Sequence, residues 1–533
     1  AWFVLRLCHT SPRSLQMLVA CGGLEALVDL VSHEYYHNRD LVWIALDALT
    51  TVFESAPQSS QKKDFCRILA KRGLCGHLCL LIDTLAADIH ERAARYLKIV
   101  VDLLLFFARE GDAVVKVYMA KSQVLEGLVS ALEFLPLDLQ VQICKTFKNL
   151  AQEPSVLNML ENAGIVPVLA RVLSWHCGPP SKTDDSWDHT NGSSGGQSQD
   201  ACSQCLLALF YLCKLSRPRQ EQAALAGVTP LLQDIVAQQH NLRVYAFEML
   251  CDMTRASLAT RRILWAEDGV AFFVRNLSSP EFQTFALDAL VGWLGQPKEH
   301  RVDWCSRVEG VLLKDELFLG HLLTLFRASR ASLFMKILDP LLKLLRVSQR
   351  INVAVAGSDD FFKDLVGRFN FSQRYRQGSI GENMQNMAHF NGTNTLDCFD
   401  VDPATAADMP AAPAVVGTME QSPFSSRKNS LSWSQGVRRL VSEPAVVASD
   451  DVRARTHLLR LLQLVCQAQS REQLMALCQR FRLQMLMHRV VQEERRRGRV
   501  ILCEIASQLL ELFGESASVP NTDAPPLDRQ ATT

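Results

Sequence analysis

Apolar and polar positions follow one another along this chain with a helical period, in short bursts that repeat. The clearest burst runs from Gln222 to Met253, QAALAGVTPLLQDIVAQQHNLRVYAFEMLCDM. It reads as a short helix, a glycine break at Gly227 and an apolar helix (TPLLQDIV). A polar turn (AQQHN) follows, then a third apolar helix (LRVYAFEMLCDM). A helix ending at Ala226 needs a residue tolerant of positive φ before the chain turns back, and Gly227 supplies it. Each of these helices is too short and too apolar to stand alone, so each must bury its stripe against neighbours.

The same phrase recurs with Gly23 (LVACGGLEALVDLV), Gly73 (ILAKRGLCGHLCLL), Gly164 (MLENAGIVPVLARVL), Gly269 (ILWAEDGVAFFVRNL) and Gly357 (INVAVAGSDDFFKDLV). A degenerate copy has Gln123 near the glycine position, and another falls around Lys314. The spacings are about 50, 50, 41, 63, 42, 45 and 43 residues; removing an insert near residues 178–199 brings the 63 back to roughly 41. A period in the low forties with a glycine opening the second helix is the signature of armadillo/HEAT repeats. The expected fold is therefore all-α, a right-handed superhelical solenoid of about eight repeats with two disordered insertions.

Taken in order, residues 1–175 are read as armadillo repeats, the first truncated. Their third helices include Val42–Glu54, with Leu46, Leu49 and Phe53 on one face, Ala94–Ala108 and Asp138–Ala151. Residues 176–200, rich in Pro, Gly, Ser and Asp, read as a flexible insert loop in which Trp187 is the one candidate anchor. Asn191-Gly-Ser fits a glycosylation sequon that a cytosolic chain would not use. Repeats resume over 201–369, and Pro340 is expected to kink or restart its helix. Residues 370–452 lose the hydrophobic period and read as a disordered, phosphorylatable insertion. Residues 453–514 supply capping helices, and 515–533 a polar, disordered tail.

Composition narrows the function classes. Apolar residues make up 48% of the chain, ample for a large buried core, and the zero net charge argues against a nucleic-acid-binding protein. No uncharged apolar run reaches a membrane-spanning length and no signal-peptide pattern opens the chain. The chain begins at Ala1 rather than methionine, as a piece of a longer protein would. Most of the sixteen cysteines sit in apolar helical runs and are expected to be reduced, buried thiols. Cys75, His77 and Cys79 form C-x-H-x-C, and Cys202 and Cys205 form C-x-x-C. Neither has a second half at zinc-site spacing, so neither is read as a metal site.

No nucleotide-binding, kinase, zinc-protease or nucleophile-elbow motif is present, so no catalytic, metal or cofactor residue is assigned. Asp47, Asp252, Asp288 and Asp339 recur in apolar helices and are expected to bond loop amides of the adjacent repeat. The stretch 370–452 carries Arg374-x-Arg376 ahead of Ser379, Ser422-Pro423, Arg427 ahead of Ser430, and Arg438-Arg439-Leu-Val-Ser442-Glu-Pro444. Ser379, Ser430 and Ser442 suit basophilic kinases, and Ser422 a proline-directed one. Arg439, Ser442 and Pro444 fit a 14-3-3 docking phrase once phosphorylated. The basic run Arg489–Arg499 reads as a solvated turn, with contact to phosphate or lipid as the alternative. Solenoids of this kind bind extended peptides along third helices. Asn149, Tyr211, Met249 and Trp293 occupy comparable places without forming an Asn/Trp ladder.

Several phrases go beyond a generic repeat: Leu18–Leu24 (LVACGGL), Asp64–Ala70 (DFCRILA), Ala208–Leu215 (ALFYLCKL), Arg219–Ala224 (RQEQAA), Leu250–Met253 (LCDM) and Ile337–Lys343 (ILDPLLK). They resemble the non-catalytic C-terminal region of the epsilon-class mitogen-activated protein kinase kinase kinases of plants and of the fungal septation-initiation and mitotic-exit kinases. The likeness covers most of residues 1–365 and, more loosely, 455–512. It implies a parent Ser/Thr kinase whose ATP- and Mg²⁺-binding domain lies outside this sequence. It also implies a regulatory module for cytokinesis signalling, with protein partners such as extended peptides, small GTPases or kinase-pathway components. Its place would be the cytoplasm, spindle pole, division site or cell cortex. The alternative is a free-standing armadillo adaptor with no kinase attached.

Overall fold

The computed structural model describes residues 17–18, 20–32, 34–55, 59–177, 194–238, 240–295, 301–328, 331–374 and 444–514. Every regular element among them is a helix. Two compact units divide the chain, one ending at Ala328 and one beginning at Ser329.

In the first unit the helices come in sets of three. The opening set contributes α1 (Gly23–Val31) and α2 (Arg39–Ser55). Next come α3 (Ser59–Lys71), α4 (Leu74–Ala87) and α5 (Ala93–Glu110), then α6 (Ala113–Met119), α7 (Ser122–Phe134) and α8 (Leu137–Ala151). A 3₁₀ turn at Pro154–Val156 leads into α9 (Leu157–Asn162), α10 (Ile165–Cys177) and α11 (Ser194–Cys213). The fifth set is α12 (Arg217–Leu225), α13 (Val228–Ala237) and α14 (Arg243–Met253). The sixth is α15 (Leu258–Ala266), α16 (Gly269–Asn276) and α17 (Gln283–Leu294), and α18 (Arg301–Lys314) and α19 (Glu316–Ala328) follow. Third helices stack in one layer, α2 on α5, then α8, α11, α14 and α17. Second helices α1, α4, α7, α10 and α13 stack in another. Each set touches the sets before and after it, which is the nearest-neighbour packing of an armadillo-type solenoid.

Leu46, Leu49 and Phe53 are buried, as their spacing predicts, and Phe107, Phe147, Phe247, Phe273 and Trp293 are fully enclosed. The repeat glycines divide into three kinds. Gly73, Gly164 and Gly227 have positive φ between first and second helices, with the role predicted for Gly227. In the Gly23 copy the left-handed residue is its neighbour Gly22, and in the Gly269 copy it is Asp268 at φ 52°. Gly23 and Gly269 are needed for space instead. A Cβ on Gly23 would lie 2.2 Å from Leu18 Cδ1, and one on Gly269 would lie 2.6 Å from the Leu264 carbonyl oxygen. Gly357 has right-handed φ −76° and fills neither role. The Gln123 copy uses an extended residue, Lys121, as its N-cap. Near Lys314 the break falls at Asp315, whose carboxylate accepts from the Leu317 N–H at 2.9 Å.

Two expectations change in this unit. Helix α11 begins at Ser194 and α10 runs to Cys177, so residues 176–177 and 194–200 of the supposed loop are helical. Cys177 and Cys202 are joined as a disulfide rather than held as thiols, because α10 and α11 pack side by side with these Cα atoms 6.1 Å apart. Trp187 and Asn191 lie outside the described residues.

The second unit contains α20 (Ala331–Val347), α21 (Gln349–Ala356), α22 (Asp359–Arg374), α23 (Pro444–Gln467), α24 (Arg471–Phe481), α25 (Leu483–Arg496) and α26 (Val500–Leu512). Pro340 sits inside α20, which runs on to Val347 without restarting. Helices on either side of residues 375–443 share one core. The α23 helix packs on α20, α21 and α26, and the Asn352 amide donates to the Leu464 carbonyl at 3.1 Å. Residues 370–374 and 444–452, read as disordered from sequence, are helical. Arg482 at φ 51° makes the α24–α25 turn, another left-handed position without glycine.

Candidate protein-binding face

The third-helix layer is where a solenoid presents side chains from many repeats to one partner. Its unburied positions fall at helical spacing: Asp47, Thr50 and Glu54 on α2; Lys98, Asp102 and Phe106 on α5; Gln142, Lys145 and Asn149 on α8. Tyr211 on α11, Glu248 and Asp252 on α14 and Asp288 on α17 continue the row.

Between α2 and α5 this face is indented by a groove of 250 Å³, lined by Thr50, Phe53, Glu54, Lys62, Ile99, Asp102, Leu103 and Phe106. Phe53 and Phe106 meet at 4.5 Å between ring centroids and form its apolar wall. Asp102 stands at the mouth. Loss of surrounding water raises its pKa, against the pull of Lys98. Further along, burial likewise raises the carboxyls of Glu248 and Asp252. A desolvated carboxylate gains from a cation or a hydrogen-bond donor, so these positions suit polar or basic groups of a partner. The groove escaped sequence reasoning; the available signal was Asp102 four residues before Phe106, the one charge in the run Ile99–Ala108.

Three of the recurring aspartates bond side chains rather than loop amides. Asp47 accepts from the Tyr96 hydroxyl at 2.9 Å and from Arg95 at 3.3 Å. Asp288 pairs with Arg255 at 2.5 Å, and Asp339 with Lys343 at 2.7 Å in its own helix. Asp252 accepts no such bond and is held in a desolvated row. A companion clasp joins Tyr35 and Asp88 at 2.7 Å, Trp43 and Tyr35 at 3.2 Å, and Trp43 stacked on Tyr96 at 4.9 Å. The Asp47–Tyr96, Trp43–Tyr96, Tyr35–Asp88 and Asp288–Arg255 contacts link consecutive repeats, because side chains of successive sets face each other.

Of the ladder positions, Trp293 and Met249 are buried and face the core, while Asn149 and Tyr211 are half-buried. The four therefore do not form one surface row. Cys75 and Cys79 point inward together, and burial pushes the Cys75 thiol up to about 12 and Cys79 further. His77 lies between them on a less buried side. Among the described residues no three His, Cys, Asp or Glu side chains gather as a metal set, nor is any single helix long and apolar enough to cross a membrane. Ser379, Ser422, Ser430, Arg439 and Ser442 lie outside the described residues; Pro444 is the first residue of α23.

The run Arg489–Arg499 is more than a solvated turn. Glu494 is fully buried, and Arg455, Arg497 and Arg499 all donate to it, the last two at 3.2 and 3.1 Å.

The helix order and packing define the class of protein: an all-α solenoid of armadillo type. No family model matches the chain. Over 365 residues, 68% of this chain and 25% of the relative, it is 32% identical to cytokinesis protein sepH of Aspergillus niger. Over 284 residues it is 32% identical to MAP3K epsilon protein kinase 1 of Brassica napus, covering 53% of this chain and 20% of that protein. Cell division control protein 7 of Schizosaccharomyces pombe is 24% identical over 351 residues, 66% of this chain and 30% of the relative. The chain is a homologue of a segment of these proteins and spans about a quarter of the length of the first of them. Among solved structures, an engineered protein aligns with TM-score 0.48 and 13% identity over 96% of this chain and 94% of its own. A designed armadillo repeat protein in complex with the peptide (KR)4 aligns with TM-score 0.37 and 13% identity, over 50% and 98%.

Proposed function

We propose that this chain is a protein-interaction and regulatory region of a Ser/Thr protein kinase of the MAP kinase kinase kinase type, acting in cell division. The observation that carries this reading is the 32% identity to proteins named for cytokinesis and for MAP3K epsilon kinase, in a chain whose described residues are a helical solenoid. ATP and Mg²⁺ would then belong to a kinase domain elsewhere in the full-length protein. The partners would be proteins, docked on the third-helix face with the α2–α5 groove as an anchor point. Phosphorylation at Ser379, Ser422, Ser430 or Ser442 would alter that set, with 14-3-3 proteins as candidates at Ser442. The site of action would be the cytoplasm at spindle poles, division sites or cortex.

The test is an affinity capture from dividing cells with residues 1–533, comparing the native chain with Phe106→Ala/Asp102→Ala and with Ser379, Ser430 and Ser442 changed to Ala. Division-apparatus, small-GTPase or kinase-pathway proteins that depend on the groove support the reading. Capture of cell-division partners indifferent to both sets of changes removes the groove and the serines from it. Partners unconnected with division or kinase signalling overturn it in favour of a free-standing adaptor.

A further inference from the structure

The C-terminal helical pair carries an exposed basic and aliphatic surface that neither the fold nor the protein-binding face uses. Met485, Arg489 and Arg496 follow one another on a single face of α25, at spacings of four and seven residues, and Arg482 caps its N-terminal end. All four are exposed. Arg495 adds a further exposed charge at the helix end, and the first two residues of α26, Val500 and Ile501, are 74% and 64% exposed, with Met485 at 60%. The acids of this segment do not neutralise the stripe. Glu494 is buried under Arg455, Arg497 and Arg499, and Glu493 is engaged by Arg497 at 2.6 Å. Glu504, one turn into α26, is exposed and reduces the charge without cancelling it.

We propose that this surface docks on anionic phospholipid, with the arginines on headgroup phosphates and Val500 and Ile501 entering the acyl boundary. Charge complementarity requires an anionic partner, and the geometry selects a lipid surface over an acidic protein. Val500 and Ile501 expose most of their aliphatic surface to solvent beside exposed arginines, and a bilayer accepts apolar side chains flanked by arginines, whereas an acidic protein surface gains nothing from them. Buried Glu494 has a part in this: by drawing Arg497 and Arg499 inward it fixes the turn that projects Val500 and Ile501. The proposal stands apart from the protein-binding reading and fails or survives separately.

The experiment is vesicle co-sedimentation of the full chain. Vesicles of phosphatidylcholine alone are compared with vesicles in which about a third of the lipid is phosphatidylserine. The native chain is expected to sediment with the anionic vesicles and not with the neutral ones. Each change in Arg489→Gln and Arg496→Gln is expected to lower partitioning about fivefold. Val500→Ser/Ile501→Ser is expected to abolish the binding that persists at raised salt. Thermal melts of all variants verify that the fold is intact; these side chains are exposed, so melting should not move. Absence of sedimentation, equal sedimentation with both vesicles, or arginine variants that bind like the native chain overturns the proposal. So does Val500→Ser/Ile501→Ser binding undiminished while inorganic phosphate or polyglutamate competes, since that outcome assigns the arginines to a soluble anion or an acidic protein.

Discussion

At Gly73 and Gly227 the backbone adopts φ of 94° and 79° with no atom within 4 Å of where a Cβ would stand, so the requirement there is conformational alone. Gly227→Ala should destabilise the first unit by about 1 kcal/mol, the cost of a left-handed residue with a side chain. Gly269→Ala should cost about 1–3 kcal/mol for a different reason, because the added methyl overlaps the Leu264 carbonyl. Urea unfolding of the two variants checks both values. Asp88 supplies a pH-dependent case. Burial raises its carboxyl, but the Tyr35 hydroxyl, the His90 N–H and Arg39 outweigh that and hold its pKa lowered. A carboxylate held lower in the folded chain stabilises the fold above its unfolded value of about 4 and loses that contribution as pH falls through the folded value. Asp88→Asn should therefore flatten the acid limb of a stability-against-pH curve while leaving its neutral shape unchanged.

Among elements, the polar contacts that matter join consecutive third helices. Tyr96→Phe removes the hydroxyl that binds Asp47 and should cost about 1 kcal/mol. In a cycle with Asp47→Asn the two changes should add to less than their sum, which urea titration of the four forms reads directly. The α23–α25 contact rests on a buried carboxylate. Glu494→Ala strips the enclosed Arg455 of the buried carboxylate it donates to, with the more exposed Glu493 standing at 3.7 Å, and should cost about 3 kcal/mol of second-unit stability. A thermal melt followed by hydrogen exchange should show the loss confined to the second unit, in which α23 packs on α20 and α21 as well as on α26.

For the whole molecule, nearest-neighbour packing means that stability is summed repeat by repeat and that perturbations stay near their origin. The Cys177–Cys202 bond closes a loop with sequence separation 25 across α10 and α11. Reduction should lower stability by about 3 kcal/mol, and hydrogen exchange should place the loss in α8 through α13. Non-reducing peptide mapping should recover the two cysteines in one linked peptide; separate alkylated peptides would remove the bond from the account.

The sequence by itself determined the helices, their period and their grouping into threes. Short apolar stripes at 3.6-residue spacing have one stable use, burial against copies of themselves, and Gly73, Gly164 and Gly227 mark turns that few other residues can make. Family phrases such as Leu250–Met253 were legible for the same reason, since Leu250, Cys251 and Met253 are core positions whose side chains the packing constrains. Tertiary structure alone decided which residues meet one repeat apart. It gave the left-handed turn at position 268 to Asp, beside a Gly269 whose approach to Leu264 leaves no room for a Cβ, and the one at 482 to Arg. It placed Trp293 and Met249 in the core and Phe106 and Asp102 in a groove, because the face a helical residue presents depends on where the next helix stacks. It turned Glu494 of the run Arg489–Arg499 inward and left Arg489, Arg495 and Arg496 in solvent, a division set by Arg455 of α23, 39 residues before Glu494 in sequence.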